Sequence, residues 1–365
     1  LPADFDPAVN LIGRQEDNGL FHSIVFSAKL VESLMRDEAG ADMETVEAVI
    51  NAVLDSQITN PADPHFGNFL WERELEVVED LNAVNFVLFR FVPLMTDFTD
   101  RFTAKTFERM LVAVRNGLVA LERIDVHLLY TNIVLKDISI TCLGGELLGD
   151  SEIAERGYLK MRRWFDRTND SGMPTEYNSP TYTKLAIEVL GRLSVTTTDE
   201  GTRVLSELAG ARLAVSAALR INPVTRRWAG PFGRAYRDVV LAEGPSEIDG
   251  LEELIKSGLV PGWISDVINR DSSALATFNV VETSDADSQT VISTHHSKSF
   301  SFGVASRELS TQTNRFIATQ SQVLDLRYPS KKLGRIATMT TRYLHDDMWL
   351  DKYRVTPSRA AGHVF

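Results

Sequence analysis

The chain has a single cysteine, Cys142, among 365 residues. One thiol excludes an internal disulfide framework and a cysteine-based zinc site. Histidine is scarce too: seven in all, and none from residue 128 to 294. No closed zinc ligand set follows from so few donors, so neither a metal nor an organic cofactor is expected, although calcium on backbone and carboxylate oxygens stays open. No apolar run reaches the ~20 residues that a membrane helix needs. The longest, Phe86 to Met95, carries Arg90 and Pro93. There is no GxGxxG after a strand, no GxxxxGK[ST], no HExxH and no GxSxG, which removes the standard dinucleotide, P-loop, zincin and α/β-hydrolase readings. A strict repeat period is also missing, which argues against a regular solenoid.

What remains is an ordinary globular balance, 44% hydrophobic and 24% charged, with length for one to three domains. The net charge of -12 disfavours nucleic acid as a partner. That charge is uneven: after residue 300 ten Lys/Arg face five Asp/Glu, so the last 65 residues are net positive. Either a solvated sheet surface or cations presented to an acidic ligand would produce this bias. The sequence opens Leu1-Pro2-Ala3-Asp4, which fits a cleaved signal peptide and a trimmed chain equally. With the sequon Asn169-Asp170-Ser171, secretion is the favoured expectation.

Apolar residues recur at helical spacing from about 20 to 220. The first stripes run Phe21 to Leu34, Val46 to Val53, Leu75 to Phe91 and Phe107 to Leu121. Further helices are expected near 127–142, 152–166, 181–193 and 199–218. Turn signals separate them at Glu38-Ala39-Gly40, Asn60-Pro61, Phe91-Val92-Pro93, Gly144-Gly145 and Asn169 to Gly172. Helices joined by short polar connections pack as antiparallel hairpins, and eight or more of them predict an α/α toroid or a solenoid. Beyond about 274 the pattern turns β-branched and alternating, with strands expected at 276–283, 289–294, 300–305, 315–319, 323–327 and 335–342. The predicted architecture is therefore multidomain α and β. A helical α/α toroid over 1–220 leads through an irregular connection over 221–273, with helices near 248–257 and 261–269, to an antiparallel β-sheet or sandwich over 274–365.

Four clusters could carry chemistry. Gly172-Met173-Pro174-Thr175-Glu176-Tyr177-Asn178-Ser179-Pro180-Thr181-Tyr182 is a polar, aromatic loop entering a helix, with Ser179 as N-cap and Pro180 fixing the first turn. Trp228-Ala229-Gly230-Pro231-Phe232-Gly233-Arg234-Ala235-Tyr236 sets a cation beside a phenol. The first also fits a rigid capping loop with buried tyrosine, and the second a surface turn with one aromatic anchor. In Ser293-Thr294-His295-His296-Ser297-Lys298 the two histidines point to opposite faces of a strand, so one alone could act as acid or base at a site. The stretch from His65 to Asn85 holds Trp71, Asp80 and Asn82. An indole beside carboxylates and amides suits a sugar ring, although most of Glu72, Glu76, Glu79 and Asp80 should be solvated. His127 and Tyr130 add a mixed polar and aromatic helix start at His127 to Asn132.

A helical toroid followed by a β-sandwich, with Asn, Tyr, Arg and His where the two meet, resembles the toroid-fold polysaccharide lyases, including the heparinase II/III-like and alginate-lyase-like groups. The resemblance covers the order of elements and residue types, not a diagnostic motif. It implies β-elimination on a uronate glycan, with Asn178 and Arg234 neutralising the carboxylate, Tyr182 or Tyr236 as base or acid, and His296 assisting from the sheet. A tyrosine beside a cation would have its pKa lowered enough to act as base. This chain departs from the pattern in having no His directly after Asn178. Tyr177 and Trp228, with Trp71, Asp80, Asn82, His127 and Tyr130, are candidate substrate contacts. A glycoside hydrolase is the main alternative. It needs two carboxylates roughly 5–10 Å apart, and Glu176, Asp80 and Asp166 are the candidates. A non-catalytic glycan-binding protein is the third reading.

Overall fold

In the computed structural model the described residues are 1–16, 19–37, 42–243, 246–271, 278–284, 290–306, 320–332, 334–340, 344–345, 348–349, 359–360 and 363–364. The chain is a mixed helical and sheet protein. It divides into two compact units, one of Leu1–His127, Ile133–Lys160 and Thr196–Asp199, the other of Leu128–Asn132, Met161–Val195 and Glu200–Phe365.

The first unit opens with a β-meander that the helical spacing hid: β1 (Phe5–Asp6), β2 (Leu11–Glu16) and β3 (Gly19–Ser23) pair antiparallel in that order. Phe21 therefore lies on a strand, and the first helix, α1 (Ile24–Met35), begins after Ser23, whose Oγ accepts from the Phe26 N–H at 3.2 Å. Helices α2 (Met43–Leu54), α3 (Ala83–Asp97) and α4 (Ala104–Ile124) follow, with α1 packed on α2 and α3, and α4 on both. Val31, Val46, Val49, Ile50, Val53, Val84, Val87 and Leu88 lose all solvent contact. Each such side chain contributes about 1.5–3 kcal/mol over its exposed state.

Three expectations fail here for physical reasons. The stripe read from Leu75 does not form a helix until Ala83. Val77 and Leu81 stay exposed, and the Asp80 carboxylate takes the Asn82 N–H at 2.8 Å, so Glu72, Glu76, Glu79 and Asp80 share no helix face. Pro93 does not break its helix but sits inside α3. Phe91, Val92, Leu94 and Met95 around it are all buried, and that packing outweighs one missing hydrogen bond. Gly144-Gly145 is not a turn but lies within α5 (Thr131–Leu148), where a Cβ on Gly145 would overlap the backbone of Ala154 on α6 (Ser151–Ser171). Glycine there lets two helix backbones touch.

A polar clasp closes the meander. The His22 ring lies between Glu74, 2.6 Å from Nδ1, and Asp6, 3.0 Å from Nε2, and Glu74 also accepts the His22 N–H at 2.8 Å.

The second unit carries α7 (Pro180–Thr196), α8 (Glu200–Arg220), the ribbon β4 (Ile221–Asn222) and β5 (Arg227–Trp228), and the short helices α9 (Arg237–Leu241), α10 (Glu247–Lys256) and α11 (Ile264–Ile268). The expected strands then form an antiparallel meander of β6 (Phe278–Ser284), β7 (Thr290–His296), β8 (Ser301–Ala305), β9 (Leu324–Ser330) and β10 (Arg335–Thr340). Each strand neighbours the next in sequence, as short connections favour. Every residue of β8, at the centre of the sheet, is buried. The strand expected at 315–319 lies outside the described residues. Among the described residues, no helix is long and apolar enough to cross a membrane.

Candidate functional site

Two loops of the second unit are held together residue by residue. In the first, Gly172 ends α6 at a φ of 83° and Asn178 takes a φ of 40°, a left-handed conformation that Asn tolerates. The Asn178 side chain accepts from Trp228 Nε1 at 2.7 Å and donates to the carbonyls of Ala229 at 3.1 Å and Pro231 at 2.5 Å. Ser179 Oγ donates to the Arg234 carbonyl at 2.5 Å while accepting the Tyr182 N–H at 3.2 Å, so the residue that starts α7 also fixes the second loop. The Gly233 N–H reaches the Tyr177 carbonyl at 3.0 Å.

The sheet grips the second loop from the other side. Gly230 donates to Asp325 at 2.9 Å and accepts from Thr294 Oγ1 at 2.7 Å. Phe232 and Gln322 exchange both backbone hydrogen bonds at 2.9 Å, and the Ala235 N–H bonds the Gln320 carbonyl at 2.9 Å. Gly303 on β8 has no substitute, because a Cβ there would overlap the Gly230 carbonyl. Asp325 in turn receives Arg327 Nε at 3.1 Å, and Arg327 Nη2 donates to the Val239 carbonyl at 2.6 Å.

Arg234 emerges from this frame with only 3% of its surface exposed. Its three nitrogens have three partners: Nε donates to Gln320 Oε1 at 2.7 Å, Nη1 to Glu176 Oε1 at 2.6 Å and Nη2 to the Tyr182 hydroxyl at 3.0 Å. The guanidinium also lies 4.1 Å from the Tyr182 ring centroid. Glu176 is held in addition by Asn132, through its N–H at 2.7 Å and its amide at 2.9 and 3.0 Å. Burial lowers the Arg234 pKa, but Glu176 and Tyr182 more than offset it, and the cation is reinforced. The Tyr182 hydroxyl stands 2.6 Å from that of Tyr236, whose side chain reaches solvent at 38% exposure. Either hydroxyl can be the donor in this bond; with Tyr182 accepting from Arg234 and donating to Tyr236, the Tyr236 proton points outward. The arrangement is a polarised hydrogen-bond chain that runs from a buried cation to an exposed phenol.

Several expected roles change on this geometry. Burial pushes the Tyr182 phenol above its ordinary pKa in spite of Arg234, so it is not the low-pKa base that its cation suggested. Arg234 is matched by Glu176 and is not an open clamp for a carboxylate. The amide of Asn178 is spent on three partners in the frame. Trp228 is fully buried and Tyr177 lies in an apolar cluster with Met173, Ile292, Ala305 and Val323, so neither ring offers a face to a sugar. His296 is fully buried, with Nδ1 against Ser301 Oγ at 2.9 Å and Nε2 donating to the Leu219 carbonyl at 3.1 Å. Burial, then Arg270, holds its pKa down to about 3, so it is a neutral structural imidazole.

Of the remaining candidates, Tyr130 lies within the field of Arg234. Asp166 is exposed on α6. Trp71, Asp80, Asn82 and His127 belong to the first unit, where Trp71 sits edge-on to Phe86 at 5.2 Å and His127 is exposed. Asn132 and Gln320 were missed as site residues. Asn132 ended the His127–Asn132 cluster, so its signal was present; Gln320 had none. Among the described residues, no group of three or more His, Cys, Asp or Glu side chains could hold a metal ion.

Residues 2–240 match the family described as a domain of unknown function, DUF8769. The chain belongs to that family. The matched span includes Glu176, Tyr182, Arg234 and Tyr236 and stops before Gln320 and before the five-stranded sheet that supplies Asp325. No curated protein and no solved structure matches the chain.

Proposed function

We propose that the protein is a glycan-active enzyme, a polysaccharide lyase that cleaves a uronate-containing glycan by β-elimination, with Tyr236 as its proton donor. The toroid arrangement of the helical hairpins belongs to the same proposal. The observation that carries it is the chain Arg234–Tyr182–Tyr236, which presents a polarised O–H at the surface on a rigid mount. In β-elimination one proton leaves the carbon beside the carboxylate, here to solvent water or hydroxide as base, and one must arrive on the departing glycosidic oxygen. Tyr236 supplies the second, and Arg234, acting through Tyr182, stabilises the negative charge left on the phenol. A hydrolase is less well supported. Both oxygens of Glu176 are bound by Asn132 and Arg234, and Asp80 is held in its own turn, so a free carboxylate pair is lacking among these candidates.

Incubation with a panel of uronate polymers and neutral glycans tests the proposal, because elimination creates a conjugated double bond that absorbs in the ultraviolet and hydrolysis does not. Absorbance appearing on a uronate polymer is the expected result. Reducing ends without absorbance would replace the lyase with a hydrolase, and binding without turnover would leave a non-catalytic glycan-binding protein.

A further inference from the structure

One corner of the five-stranded sheet is apolar on its outer face. Asp325 and Arg327 turn toward the loop 228–236, so Leu324, Leu326 and Tyr328 lie on the other face of β9. The register of β9 with β10 adds Ala337, opposite Tyr328, and Met339, opposite Leu326. Met339 is 52% exposed, and Tyr328 is exposed beside it. The solvent face of an antiparallel sheet is ordinarily polar, and an apolar one signals a contact. β10 is also an edge strand, paired with β9 alone among the described residues. An edge presents backbone groups to any strand that can lie along it. The turn from β9 to β10 carries Lys331 and Lys332, both exposed and without an ion pair among the described residues.

Such an edge fits an extended segment with apolar side chains on one face and carboxylates to meet the lysines. The first unit displays one. Residues 76–80 form neither helix nor strand, and the backbone N–H groups of residues 76–79 have no partner among the described residues. Val77 is 62% exposed, and Leu81 is exposed as well. Four residues apart, they share one face of an extended chain. Glu76 and Glu79 are exposed and have no ion pair among the described residues, whereas Asp80 is held in its own turn. An unpaired acidic strand and an unpaired basic edge thus stand on the surface of one chain, each with exposed apolar side chains. Their charges and free backbone groups are complementary, which selects a second copy as the partner.

We infer that residues 76–81 of one copy add as a strand to β10 of a second copy. Glu76 and Glu79 meet Lys331 and Lys332, and Val77 and Leu81 extend the apolar face of Tyr328 and Met339. The contact is heterologous, so copies join head to tail until a rotation closes a ring. It is separate from the Tyr236 chain and does not rest on the proposed lyase activity.

Sedimentation velocity over a range of protein concentrations tests it. The wild type should form species larger than the monomer as concentration rises, and added salt should reverse this, because exposed charges are screened beyond about 10 Å at about 0.1 M. The double variants Glu76→Lys with Glu79→Lys and Lys331→Glu with Lys332→Glu should each sediment as monomers, since each sets like charges on both surfaces. Mixed in equal amounts, the two should associate again. A wild type that is monomeric at every concentration overturns the inference, as does association that survives either charge reversal or a mixture that stays monomeric. Should a double variant not fold, Val77→Asp at its exposed position decides alone. It should sediment as a monomer, and association at the wild-type level would overturn the contact.

Discussion

Two buried charged assemblies of the second unit share their ingredients and differ in where they end. Asp325 and Arg327, with Glu247 3.3 Å from Arg327, are buried, and the Asp325 carboxylate holds the loop 228–236 through the Gly230 N–H. Glu176 and Arg234 are as deeply buried, yet their chain continues through Tyr182 to an exposed phenol. Burial of charge therefore does not by itself mark a functional site. The first assembly fixes the backbone, and in the proposed function the second uses that fixed backbone to aim a proton outward.

The largest effect should come from the closed assembly. Arg327→Met leaves Asp325 buried with the Gly230 N–H as its remaining bond, and a loss of about 3–5 kcal/mol is expected from urea unfolding. A loss below 1 kcal/mol would mean that the assembly does not hold the loop. Next is Arg234→Met, at about 3 kcal/mol, because Glu176 keeps its bonds to Asn132. Combining it with Glu176→Gln should recover part of that loss, since the stranded charge is gone. A strictly additive double variant would show that the pair is not coupled.

The His22 clasp of the first unit sharpens the contrast, because it titrates in an accessible range. Burial opposes charging of His22, but Glu74 and Asp6 outweigh it and raise its pKa above the ordinary 6.5. Both carboxylates are lowered: Asp6 by the Ala8 N–H and His22, and Glu74 by His22 against its own burial. The histidine contribution is complete below pH 6.5 and lost as pH rises through its raised folded value. The carboxylate contributions are present above their unfolded values and lost as pH falls through the lowered folded ones. Stability from the clasp should thus peak between about pH 5 and 6.5. His22→Asn should flatten the pH profile of melting there, and an unchanged profile would refute the role. The smallest effect on folding is expected for Tyr236→Phe, at about 0.5–1 kcal/mol, since its hydroxyl reaches one half-buried partner and solvent.

How much of this was legible in the sequence follows from the range of each signal. Ser179 and Pro180 gave the start of α7 because capping is local. The switch to strands near 278 was legible from alternation. Gly144-Gly145 misled, because glycine at a close helix contact and glycine in a turn look alike until the partner helix is known. The clusters holding Glu176, Tyr182, Arg234 and Tyr236 stood out by composition, and these four side chains do meet. Their roles were not legible. That Asn178 staples two loops, that Trp228 is buried and that Glu176 neutralises Arg234 are facts of pairing across some fifty residues of sequence. Gln320 lay furthest from any signal, 86 residues from the arginine it orients.

The most direct test of the central claim sets activity against stability in one variant. On whichever uronate polymer the wild type turns over best, Tyr236→Phe should lose about 10²–10⁴-fold in kcat while melting almost as the wild type does. An unaltered kcat in a folded Tyr236→Phe protein would contradict the account, because the exposed phenol would then carry no proton that matters to the reaction.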